Sequence, residues 1–129
     1  MEFPASLKYT KDHEWIDGAA AGGAAKIGVT AYAVDQLGDI VHVELPQVGE
    51  SFEAGSSFGT IESTKTVSDL YMPLAGKVVE INKAAIDRPE SLQEDPYKNG
   101  WLVKVEIKGK IEGASLMDAK AYEKFVSEG

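Results

Sequence analysis

The sequence predicts a mainly β fold with helices at its periphery. Short apolar runs recur along most of the chain, separated by Gly, Pro and small polar residues. Two of these runs flank a polar turn, Glu62-Ser63-Thr64-Lys65-Thr66. Near the C-terminus the apolar period changes from that of a strand to that of a helix.

In chain order, Tyr9 to Ile16 reads as one strand ending in Trp15 and Ile16, and the Ala/Gly-rich link after it as a hairpin loop. Ala25 to Val29 reads as the next strand. Thr30 can cap a short helix over Ala31 to Leu37, which Gly38 would stop. Ile40 to Leu45 is rich in β-branched residues, and Pro46 ends it. Ser51 to Glu53 and Ser57 to Glu62 lead into the polar turn; Val67 to Met72 leaves it, and Gly76 to Asn82 follows as another strand. Ile86 to Glu94 is polar and holds Pro89, so it reads as a loop with one helical turn. Trp101 to Ile107 is the last strand. Ser115 opens a helix over 116–127, with Asp118 completing a capping-box-like start. Its apolar stripe of Met117, Tyr122, Phe125 and Val126 is a packing face.

A chain of 129 residues with 43% hydrophobic residues is expected to form one domain over 1–129. With no cysteine there is no disulfide framework, thiolate metal site or cysteine nucleophile. Two histidines, His13 and His42, are too few for a zinc site without cysteines, so each is expected to be packed or hydrogen-bonded. The net charge of −8 disfavours nucleic acid as a partner. No apolar run approaches a membrane span. The start, Met1-Glu2-Phe3-Pro4-Ala5, has neither a secretory h-region nor an Arg-rich leader. A bacterial cytoplasmic protein is expected, or a mitochondrial matrix protein if the chain is a processed eukaryotic one.

Lys65 is the residue that carries most of the chemistry. A lysine at a hairpin tip has its backbone held by two strands and its amine exposed, which suits covalent attachment of a prosthetic group. Taken alone, such a lysine reads more readily as a solvated surface residue. Gly49 lies sixteen residues before it and Gly76 eleven after it, in Gln-Val-Gly-Glu and Pro-Leu-Ala-Gly-Lys. Both read as turns with positive φ.

A hairpin lysine between two glycine turns resembles the lipoyl and biotinyl carrier domains. Biotinyl domains usually carry Met-Lys-Met at the tip and lipoyl domains of the 2-oxoacid dehydrogenases Asp-Lys-Ala. Here the tip reads Glu-Ser-Thr-Lys-Thr-Val-Ser-Asp-Leu-Tyr, followed by Pro-Leu-Ala-Gly. That is similar to the glycine cleavage system H protein family, as are Leu7-Lys8-Tyr9-Thr10, His13-Glu14-Trp15, Ile27-Gly28-Val29-Thr30, Leu37-Gly38-Asp39-Ile40-Val41, Val43-Glu44-Leu45-Pro46, Asp95-Pro96-Tyr97 and Gly100-Trp101-Leu102. Asp12, Lys98-Asn99 and the Ala19 to Ala25 link depart from the family pattern outside the attachment turn.

The resemblance implies a barrel-sandwich hybrid of two small antiparallel sheets. It implies lipoate bound covalently to Lys65 and a carrier that is not itself an enzyme. Its partners would be glycine decarboxylase, an aminomethyltransferase, dihydrolipoyl dehydrogenase and a lipoate ligase or lipoyl transferase. The cargo, an aminomethyl group, is labile to water and cationic near neutral pH, so a cleft offering a carboxylate would protect it. Glu14 and Asp69 are the candidates, with Asp12 as a further acid at that wall. Glu62 would face solvent and help a partner recognise the turn. Two other carrier readings use the same lysine: a lipoate-relay H-like protein and a 2-oxoacid dehydrogenase lipoyl domain. A reading of another class is an unmodified β-domain acting as a binding module.

Overall fold

The computed structural model describes residues 3–18, 23–97, 100–108 and 116–128. The readings made for most of the Ala/Gly link, for Lys98-Asn99 and for Ser115 lie outside these residues.

Two antiparallel sheets form the body. The larger has the strands β1 (Lys8–Tyr9), β2 (Glu14–Asp17), β3 (Ala24–Val29), β9 (Val103–Ile107), β8 (Gly76–Ile81) and β5 (Ser51–Phe52), in that spatial order. The smaller orders β4 (Ile40–Glu44), β6 (Ser57–Ser63) and β7 (Val67–Tyr71). All the strand pairings are antiparallel. The inward side chains of both sheets, among them Ile27, Val43, Ile61, Leu70, Val78 and Val105, form one buried cluster. Alternation at the end of β6 shows the cause: Ile61 and Ser63 are buried while Glu62 between them is exposed.

The segment Tyr9 to Ile16 is not one strand. It is a hairpin, with Tyr9 opposite Trp15 and Lys8 opposite Ile16. The turn is closed by the Thr10 backbone and hydroxyl, which accept hydrogen bonds from the amides of His13 and Glu14. His13 takes φ 65°, a left-handed conformation that a sequence pattern does not announce.

Helix α1 (Ala31–Leu37) stands as expected: Thr30 Oγ1 accepts from the Ala33 amide, and Gly38 ends it at φ 81°. A short helix, α2 (Lys83–Asp87), starts ahead of Ile86 and runs into the polar stretch, which holds the expected helical turn, α3 (Ser91–Glu94). Asn82 caps the first by accepting from the Ala84 amide, and Leu92 anchors the second, fully buried in the main cluster. Helix α4 (Ala119–Glu128) starts later than expected, because Asp118 is itself the cap: its carboxylate accepts from the Ala121 amide at 2.8 Å. Met117 is extended and bridges to Tyr9. The stripe on α4 packs as expected, with Tyr122, Phe125 and Val126 covering a second cluster of Leu7, Tyr9 and Trp15.

The two glycine expectations divide. Gly49 sits in a turn with φ 100°. Gly76 does not: it lies in β8, opposite Ile107 and Phe52, and is not among the positive-φ residues. Glycine is needed there because a Cβ would lie 3.0 Å from the Glu106 carbonyl oxygen and 3.4 Å from Val105 Cβ.

Candidate functional site

Lys65 lies at the tip between β6 and β7, exposed to solvent. Ser63 builds the tip. Its amide donates to the Thr66 carbonyl at 2.8 Å, and its hydroxyl oxygen accepts from the amides of Lys65 at 3.3 Å and Thr66 at 3.1 Å. The tip also docks on the loop that follows α1, where the Thr64 amide donates to the Asp39 carbonyl at 3.0 Å. The lysine stem runs over Gly38: a Cβ there would sit 3.6 Å from Lys65 Cε. Gly38 thus ends the helix and leaves room for the lysine.

A cleft of about 130 Å³ opens between the β1–β2 turn, helix α1 and the β6–β7 hairpin. Asp12, Glu14 and Asp69 all line it, beside His13, Gln36 and Ser68. Two carboxylates of one turn, Asp12 and Glu14, therefore meet a third from a distant hairpin, Asp69, at one opening. Asp69 is four residues along the chain from Lys65, so their backbones are no more than roughly 14 Å apart.

The three acids differ in kind. Asp12 and Asp69 are exposed at the rim. Glu14 is 2% exposed, far from the solvated carboxylate that composition alone would favour. Its Oε2 accepts from the Tyr71 amide at 2.6 Å, so it ties the large sheet to the edge strand β7 of the small one. Its Oε1 is buried with no hydrogen-bond partner. Burial pushes the Glu14 carboxyl up to about 8; the Tyr71 hydrogen bond opposes that rise, and the nearby Asp12 adds to it. No lysine or arginine is among the residues lining the cleft. The cleft is apolar inside and acidic, and it holds a buried carboxyl oxygen with no hydrogen-bond partner.

The other sequence blocks brace this arrangement. Trp15 Nε1 donates to the Pro96 carbonyl at 2.9 Å, and the Tyr97 hydroxyl accepts from the Ala31 amide at 2.9 Å, at the start of α1. Burial raises the Tyr97 phenol above its ordinary value. His13 is hydrogen-bonded as expected, with Nδ1 2.8 Å from the Tyr122 hydroxyl, and burial lowers its pKa. His42 is not packed: it is exposed on β4, with Nε2 3.5 Å from the Glu44 carboxylate. Glu62 faces solvent.

Ser63, Tyr71 and Gln36 were not foreseen as site residues. Ser63 had a legible signal, a hydroxyl two residues before the lysine in a turn. The role of Tyr71 is a backbone amide on a sheet edge, which leaves no trace in residue type.

The model of the glycine cleavage H-protein matches residues 7–129. The chain belongs to the glycine cleavage H-protein family. Members are lipoyl carriers, not catalytic enzymes. The glycine cleavage system H protein of Anaeromyxobacter sp. (strain K) is 48% identical over 128 residues, covering 99% of this chain and 98% of its own. That of Bacteroides thetaiotaomicron is 50% identical over 127 residues, covering 98% and 99%. A crystal structure of a glycine cleavage system H protein from Mycobacterium marinum superposes with a TM-score of 0.87 at 46% identity, covering 97% of this chain and 99% of that one. Among the described residues no helix is long and apolar enough to cross a membrane.

Proposed function

We propose that this H-protein family member carries lipoate in amide linkage on Lys65. It would take an aminomethyl group from glycine decarboxylase to an aminomethyltransferase and be reoxidised by dihydrolipoyl dehydrogenase. Residues 1–129 act as one carrier domain, in the cytoplasm of a bacterium, after a lipoate ligase or lipoyl transferase has acted on the hairpin. When bound, lipoate supplies a dithiolane that takes up a carbon fragment reductively. The chain supplies position, a tether and shelter. Ser63 holds the tip rigid, Gly38 leaves the stem room, and the cleft excludes water from a cationic cargo.

The observation that carries this reading is Glu14 Oε1, a buried carboxyl oxygen with no hydrogen-bond partner in a cleft beside the lysine hairpin. An ammonium beside it favours the ionised carboxylate and then supplies it with a donor and the opposite charge. Asp69 and Asp12, at the rim, add a favourable field.

The test is the mass of the Lys65 peptide from natively expressed protein, which should carry a lipoyl amide. Lys65→Arg should fold normally, lack the added mass and support no glycine cleavage with the partner enzymes, because a guanidinium is not acylated there. Full activity in Lys65→Arg would refute the assignment.

A further inference from the structure

The Tyr122 hydroxyl lies outside the cleft, yet it touches residues of two of the three elements that form its walls. It is 2.8 Å from His13 Nδ1 and 2.7 Å from Thr30 Oγ1. His13 belongs to the turn that carries Asp12 and Glu14, and it lines the cleft itself. Thr30 caps α1, whose Ala33, Gln36 and Leu37 line the opposite wall. The Thr30 amide also donates to the His13 carbonyl at 3.0 Å. We propose that Tyr122 is a positioning residue of the cleft, its hydroxyl clamping the His13 turn to the start of α1 and so setting the place of Glu14.

The His13 turn needs such a clamp. A non-glycine residue with φ 65° sits in a sparsely populated region and persists only where its surroundings over-determine it. The half-buried imidazole is flanked by aromatic rings. Tyr32 of α1 lies 4.7 Å away between ring centroids, and Tyr122 and Phe125 of α4 each lie 5.8 Å away. Tyr122 in turn is 0% exposed and stacked on Tyr9, with centroids 4.8 Å apart and planes at 11°. Its ring therefore cannot drift, and its hydroxyl acts as a fixed post. In either polarity the hydroxyl can donate one hydrogen bond and accept the other. The C-terminal helix, remote in sequence from the hairpin, thereby becomes part of the cargo site's support.

This inference rests on the reading of the cleft as the cargo's shelter. The test uses the full lipoylated chain, loaded with glycine and the decarboxylase and then freed of partners. Formaldehyde and ammonia release is followed in wild type, Tyr122→Phe and Glu14→Gln. Tyr122→Phe keeps the stacked ring and removes only the hydroxyl. It should speed release roughly two- to tenfold, the size of one lost hydrogen bond, and shift the His13 imidazole nitrogen resonances in the unloaded protein. If Glu14→Gln speeds release while Tyr122→Phe leaves it at the wild-type rate, the positioning role is overturned and the shelter stands. If neither variant speeds release, the shelter reading fails and the positioning role with it. Should Tyr122→Phe fail to fold, His13→Asn serves instead: asparagine tolerates the left-handed backbone but does not reach the hydroxyl. A wild-type release rate in that variant overturns the proposal.

Discussion

Glu14→Gln should make the unloaded protein more stable, and increasingly so as pH rises. The carboxyl is pushed from 4.5 up to about 8, chiefly by burial. Below pH 4.5 it is protonated in both the folded and the unfolded chain, so burial of the charge costs nothing. Between 4.5 and 8 the unfolded chain releases the proton and the folded one holds it. Unfolding is then favoured by about 1.4 kcal/mol for each pH unit crossed. At pH 7 the cost reaches about 3 kcal/mol, and it levels off near 5 kcal/mol once the folded carboxyl ionises. Against a total stability of roughly 5–15 kcal/mol that is a large share. Glutamine keeps an oxygen to accept from the Tyr71 amide and has no charge to bury. Urea unfolding of both proteins at pH 5, 6, 7 and 8 measures the difference. It should be small at pH 5 and grow to a few kcal/mol by pH 8. A difference constant across that range would refute the account of Glu14 as a desolvated carboxyl. A cationic cargo beside Oε1 should act the other way, drawing the proton off and stabilising the ionised form.

Three further outcomes are expected. Asp69→Ala should leave lipoylation intact but shorten the life of the loaded, partner-free protein less than Glu14→Ala does, since Asp69 is exposed at the rim and screened by water; formaldehyde release measures both, and equal rates across wild type and variants would mean that neither carboxylate guards the cargo. Gly76→Val should cost about 1–3 kcal/mol by forcing β8 away from the Glu106 carbonyl and Val105 on β9, read as a lower urea midpoint; an unchanged midpoint would show that the strands yield freely. Asp118→Ala should cost about 1 kcal/mol through loss of the α4 cap, read as a lower melting temperature, and a melting temperature equal to wild type would place the cap elsewhere.

The lysine hairpin, helix α1 and most strands were legible because their signals are local. Period-two burial, a threonine cap and a glycine stop depend on residues a few positions apart. The departures have equally definite causes. Tyr9 to Ile16 reads as continuous because a single histidine does not suffice to mark a left-handed turn; the turn is held locally by Thr10 and, once folded, by Thr30 and Tyr122. The one helical turn expected in 86–94 is α3, anchored by the buried Leu92, whereas α2 went unread because it depends on the Asn82 cap and on the burial of Ala85. Gly76 is required by its neighbour strand, and no reading of its own sequence could separate that from a turn.

The site divides in the same way. Lys65 and its turn are matters of sequence, since a hairpin tip is exposed by its own geometry. Glu14, Asp69 and Asp12 could be nominated from charge and from family resemblance, but the sequence does not distinguish a solvated carboxylate from a buried one. That distinction belongs to the packing of two sheets and a helix, which removes water from Glu14 and leaves Oε1 without a hydrogen-bond partner. Desolvation is a property of the assembled surroundings, so the tertiary structure alone decided which of the three acids has unusual chemistry.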